Sequence, residues 1–149
     1  MPDPADAAAC VESLRRALGA RAAGLWRLDE DRRELVQVAF APGPELSDEV
    51  AAGFAQATRS VGLEQGNLGI VVAVTTGRFA SSWAETLPAE VGSGRWLRAF
   101  GAVRSVAVPL ADVTGRVVSV LSVALPSPEP VDEDVAESVR RFAWECGWA

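Results

Sequence analysis

The 149-residue sequence contains no histidine, no lysine and no tyrosine, and all 14 of its basic residues are arginine. Each absence removes chemistry. Without histidine the chain lacks the commonest general base and metal ligand, and without lysine it can form no Schiff base with a carbonyl substrate. Two cysteines, Cys10 and Cys146, stand near opposite ends; in a reducing compartment such distant thiols read as small hydrophobes rather than as a disulfide. No apolar run approaches the roughly 18 residues that span a bilayer, and no basic start, apolar run and cleavage site opens the chain. The expectation is therefore a cytoplasmic protein without a membrane partner. A net charge of -6, with arginines scattered rather than gathered in a tract, also argues against direct nucleic-acid binding.

What is present is a large apolar fraction, 49%, enough to build one core, so a single domain over residues 1–149 is expected. Residues Asp3 to Leu18 predict a helix, because Ala7, Cys10, Val11, Leu14, Ala17 and Leu18 recur at helical spacing between a capping Asp3 and a closing Gly19. Glu12, Arg15 and Arg16 would then face water. Arg21 to Leu28 and Glu34 to Phe40 predict two antiparallel strands, with the charged cluster from Asp29 to Arg32 as their turn. A helix capped by Ser47 follows, its apolar face formed by Val50, Phe54, Ala57 and Val61.

Residues 70–75 are ambiguous: Ile70, Val71, Val72 and Val74 favour a strand by propensity, whereas Asn67 and Gly77 resemble helix caps. Ser81 to Gly94 reads as irregular, and Arg95 to Phe100 as a short helical turn. Val103 to Leu110 and Arg116 to Leu125 predict a hairpin whose second strand has no polar face, so it belongs at the centre of a sheet covered on both sides. Asp132 to Cys146 predicts a closing helix with Val135, Val139, Phe142, Ala143 and Cys146 on one stripe.

Three stretches carry a family resemblance when taken in order. Asn67-Leu-Gly-Ile-Val-Val-Ala-Val-Thr-Thr-Gly77 is similar to the Gly-rich helix of GAF domains, and Val103-Arg-Ser-Val-Ala-Val-Pro-Leu110 with Gly115-Arg-Val-Val-Ser-Val-Leu121 resembles their most recognisable strand pair. Val131-Asp-Glu-Asp-Val135 resembles the acidic start of their last helix. The resemblance implies an α+β, profilin-like fold: a central antiparallel sheet, the N- and C-terminal helices packed on one face, and a pocket-forming layer of helix and loop on the other. It also implies that residues 68–76 are helical despite their propensity.

By the same resemblance the chain would be a small-molecule-sensing regulatory domain, not an enzyme, that dimerises through its terminal helices. The alternative is a ligand-free interaction module with a closed pocket. Members of the family that hold linear tetrapyrroles use a pocket cysteine and histidine, and its free methionine sulfoxide reductases use cysteines in mid-domain; this chain has neither, so no bilin or haem cofactor and no catalytic residue is expected. The resemblance points for ligand contacts to Phe79, Trp83, Trp96, Leu97 and Phe100, with Arg78 and Arg104 as possible clamps for an anion. These aromatic residues could equally fill a closed core. For a homodimer interface through the terminal helices, Cys10, Leu14 and Phe142 are candidates, and the large aromatic side chains of Trp144 and Trp148 near the C-terminus point to burial against a partner or, alternatively, to packing of the last helix within the chain.

Overall fold

A computed structural model describes residues 3–148. Along them run α1 (Pro4–Leu18), β1 (Ala22–Asp29), β2 (Glu34–Pro42), α2 (Asp48–Ala57), β3 (Ser60–Gly62), α3 (Gly69–Thr76) and β4 (Ala80–Trp83). After a 3-10 turn at Ala84–Thr86 come α4 (Gly92–Phe100), β5 (Arg104–Ala111), β6 (Val117–Leu125) and α5 (Asp132–Glu145). The strands form one antiparallel sheet in the order β3-β2-β1-β6-β5-β4. The strand without a polar face, β6, lies between β1 and β5, as its composition requires.

Alternation along each strand separates two layers. One face presents Leu25, Val106, Val108, Leu121, Val123 and Leu125 to Ala7, Val11 and Leu14 of α1 and to Val135, Val139 and Ala143 of α5. Both terminal helices therefore stack behind the same face. The opposite face is covered by α2, α3 and α4, in two adjoining clusters around Trp26 and Ile70 and around Leu97 and Phe100.

Helix α3 resolves the ambiguity of residues 70–75. Ile70, Val71 and Ala73 are buried against Val61, Ala107 and Val120. A β-branched residue in a helix forfeits at most about 0.7 kcal/mol, whereas burying such a side chain is worth roughly 1.5–3 kcal/mol, so packing decides. Gly77 closes the helix in the left-handed conformation at φ 72°, its N–H donating to Ala73 O. The Thr75 and Thr76 hydroxyls donate back to Val71 O and Val72 O, which keeps them satisfied within the turn.

Five local readings are corrected. Helix α2 ends at Ala57, and Val61 belongs to the short edge strand β3, because Thr58 and Arg59 turn the chain back onto β2. Asn67 does not cap α3; Leu68 occupies that position without a side-chain bond. The stretch from Ser81 contains β4 and a 3-10 turn, and α4 begins three residues earlier than its aromatic spacing suggests. Arg15 is not on a solvated face: its side chain is 11% exposed and donates two bonds to Glu12 and one to Ala20 O.

Candidate functional site

On β5 and β6 the cavity-facing side of the sheet carries small side chains at Ser105, Ser122 and Ala124, where the other face carries valine and leucine. Ala22 and Gly24 of β1, Ser105 of β5, and Ser122 and Ala124 of β6 form a floor. Register places them together: Ala22 pairs with Ala124, Gly24 with Ser122, and Ser105 with Ala124. Over that floor stand five aromatic rings, Trp26, Phe40, Phe54, Trp96 and Phe100.

Phe54 is the hub of the aromatic set. Its ring centroid lies 5.0 Å from both Phe40 and Phe100, 5.2 Å from Trp96 and 6.2 Å from Trp26, and the contacts with the two tryptophans and Phe100 are edge-on. Such T-shaped pairs add about 0.5–1.5 kcal/mol each beyond burial. Trp26 is locked further by its indole N–H, which donates to Thr58 O at 2.8 Å. A bulge in β2 opposite Leu25 and Trp26 brings Gln37 and Phe40 to this same side, and Gln37 Nε2 donates to the Thr58 hydroxyl.

Gly24 explains how so large a ring fits. A Cβ at that position would overlap the six-membered ring of Trp26, which lies across the strand two residues away. The remaining cavity has a volume of about 60 Å³. Thr58, Ser93, Ser105 and Ser122 are the hydroxyl-bearing residues of its lining, and among the described residues no charged one contributes to it.

Of the residues named from the sequence as ligand contacts, Trp96, Leu97 and Phe100 meet at this cavity. The others are not brought there. Phe79 packs on the opposite face of the sheet with the terminal helices, and Arg78 borders an open groove at the sheet edge beside Val72 and Arg140. Arg104 and Trp83 lie against the start of α5 instead: Arg104 Nη1 donates to Asp132 Oδ1 at 2.8 Å, and Trp83 Nε1 donates to Asp132 Oδ2 at 3.2 Å. Strand parity accounts for Arg104, since it shares a face with Val106 and Val108 rather than with Ser105. Sequence reasoning missed Trp26, Phe40 and Phe54, and the floor as well.

The residues named for a dimer interface also divide. Leu14 is 1% exposed and Trp148 9%, both packed within the protomer's own helix-side cluster. Trp144 is 71% exposed. Cys10, Phe142 and Cys146 are half-buried against the helix-side cluster. Burial, with a smaller contribution from the neighbouring Cys10 thiol, pushes the Cys146 thiol up to about 12. Both thiols therefore lie behind the sheet, on the far side from the cavity. Among the described residues no cluster of three or more potential metal ligands occurs, and no helix is long and apolar enough to cross a membrane.

Comparison with known proteins agrees with this geometry. The sequence model of the GAF domain matches residues 7–149. The structure is similar to the GAF domain of a phosphoenolpyruvate-protein phosphotransferase from Coxiella burnetii, with a TM-score of 0.67 at 16% identity, covering 98% of this chain and 81% of that one. It is also similar to a free methionine-R-sulfoxide reductase from Neisseria meningitidis solved with its substrate, with a TM-score of 0.66 at 18% identity over 96% and 74% of the two chains. A GAF domain/HD domain protein from Geobacter sulfurreducens gives 0.64 at 12% identity, over 97% and 91%. At these identities the likeness is one of fold. No curated protein sequence matches significantly.

Proposed function

This chain belongs to the GAF domain family, and from that premise we propose that it is a non-enzymatic regulatory domain that senses a small, uncharged, largely apolar molecule at the aromatic cavity. The observation that carries this reading is the floor of small residues beneath five rings, with no charge on the lining. Along β5 and β6 a sheet face built only for a closed core would carry valine and leucine there, as the opposite face of the same two strands does. The anion-clamping role considered for Arg78 and Arg104 has no support at this cavity, since neither lines it. Absence of enzymatic activity is supported by the missing histidine and lysine and by the position of both thiols across the sheet. A cytoplasmic homodimer completes the proposal, with the exposed Trp144 on α5 as the anchor of self-association.

Size favours a second reading at one point: about 60 Å³ is below the roughly 300 Å³ of small-molecule sites, so a ring-sized ligand enters only by displacing the aromatic side chains. In the second reading those side chains have permanently replaced a ligand, and the domain acts through protein contacts alone. Indole and benzene, titrated to about 5 mM, a concentration suited to weak binding, separate the two. Saturable NMR shifts at Trp96 and Phe100 that vanish in Ala124→Leu support sensing. Unsaturable or absent shifts in the unsubstituted protein leave the closed module. Light scattering with Trp144→Ala tests the dimer: a monomer in both proteins ends that part of the proposal.

A further inference from the structure

The carboxylate of Asp132, the first residue of α5, is held at both oxygens by groups from the adjacent strands β4 and β5. Arg104 Nη1 takes Oδ1 and the Trp83 indole N–H takes Oδ2, while the Arg104 guanidinium stacks over the Trp83 ring at 5.3 Å and its Nε donates to Ser127 O. Arg104 is 0% exposed, and among the described residues its Nη2 has no hydrogen-bond partner. A fully buried guanidinium with an unmet donor is a poor way to stabilise a fold, because desolvation offsets most of the attraction and a packed apolar side chain does as well or better. Its value lies in fixing where α5 begins.

Trp83 is also tied to the cavity. It runs directly into the 3-10 turn at Ala84–Thr86, and Arg98 of α4 donates to Ala84 O within that turn and to Leu87 O just after it. Arg98 sits on the same helix as Trp96, Leu97 and Phe100, which wall the cavity. A continuous set of contacts thus leads from the cavity wall through α4 and Arg98 to the turn, to Trp83, and to Asp132.

We propose that Trp83, Arg104 and Asp132 form a latch on the start of α5 that a change at the cavity wall loosens through α4 and Arg98. The latch rests on the sensing role proposed for the cavity, which it supplies with an output. It gives Trp83 and Arg104 a positioning function in place of ligand contact. A shift of α4 moves the Ala84 and Leu87 carbonyls that Arg98 grips, draws Trp83 from Oδ2, and leaves Asp132 on Arg104 alone.

The test needs no ligand, so its outcome is independent of whether indole or benzene binds. Hydrogen exchange of the α5 first-turn amides is measured in the unsubstituted protein, Phe100→Leu, Trp83→Phe and the double variant, with β6 amides as the control for global unfolding. Phe100→Leu is expected to speed first-turn exchange about tenfold, within the usual range of coupling between sites. In the Trp83→Phe background, where the ring remains but the indole donor is lost, the same substitution is expected to add no more than about twofold. Equal effects of Phe100→Leu in both backgrounds, or no effect on α5 in the unsubstituted protein, overturn the latch. Trp96→Phe replaces Phe100→Leu in the cycle if that variant does not fold.

Discussion

On the face that carries α1 and α5, strands β5 and β6 present Val106, Val108, Leu121 and Val123, none with any exposed surface; on the other, the same strands present Ser105, Ala107, Ser122 and Ala124. The backbone is shared and the pairing is shared; side-chain size differs, and the cavity face adds the hydroxyls of Ser105 and Ser122. Large aliphatic side chains on the first face lock two helices into one interlocked layer. Small ones on the second leave a recess that rings from β1, β2, α2 and α4 then enter, without filling it. The lesson is that one sheet supports a rigid side and a yielding side by alternating side-chain volume at period two.

The contrast can be broken most forcefully from the helix side. Leu121→Ala, at a side chain with no exposure, is expected to cost about 3–4 kcal/mol in urea denaturation, a transfer loss plus a cavity that a packed layer cannot close. Next in size is Gly24→Ala, where the added methyl overlaps the Trp26 ring; about 1–3 kcal/mol is expected for forcing that ring aside, with a change in tryptophan emission marking the displacement. Ser122→Ala, the immediate neighbour of Leu121 on the cavity face, sharpens the comparison, since a loss within about 1 kcal/mol is expected for removing one hydroxyl from a recess that is already loose.

The smallest effect concerns α1. Hydrogen bonds from Arg15, and then from Arg16, hold the Glu12 carboxyl below its ordinary value of 4.5. The folded state therefore binds fewer protons than the unfolded one, and the contribution is complete above that ordinary value and lost as pH falls through the lower, folded one. With the Glu12 side chain one-third exposed, Glu12→Gln is expected to cost below about 1 kcal/mol at pH 7. Denaturation midpoints of the two proteins should converge as the pH is lowered past 4.5.

The fold was legible because its signals were of one kind, hydrophobic period and order of elements. The central position of β6 followed from the absence of a polar face, and the capping and acidic first turns of α1 and α5 followed from Asp3 and from Asp132 to Asp134. The helical state of residues 70–75 was not legible locally, since burial of Ile70 and Val71 outweighs their propensity and burial is not a local property. The cavity was legible only in part. Trp96 and Phe100 are four apart on one helix and announce a common side, whereas Trp26, Phe40 and Phe54 converge from three elements. The floor did leave a trace in Ser105-Val-Ala-Val and Ser122-Val-Ala-Leu, visible when alternation is read as volume. Arg104 and Trp83 were misplaced because parity along β5, and the reach of Asp132 across 28 residues, appear only once the strands are paired.

The ring of Trp26 resting on Gly24 ties two codons into one evolutionary unit. A bulkier residue at position 24 is tolerable only where position 26 has shrunk, and such an exchange would uncover the recess that the indole now occupies. Relatives that trade volume between these two sites would thus differ in what they can admit while keeping every strand in register, so that a change of ligand range requires no change of architecture.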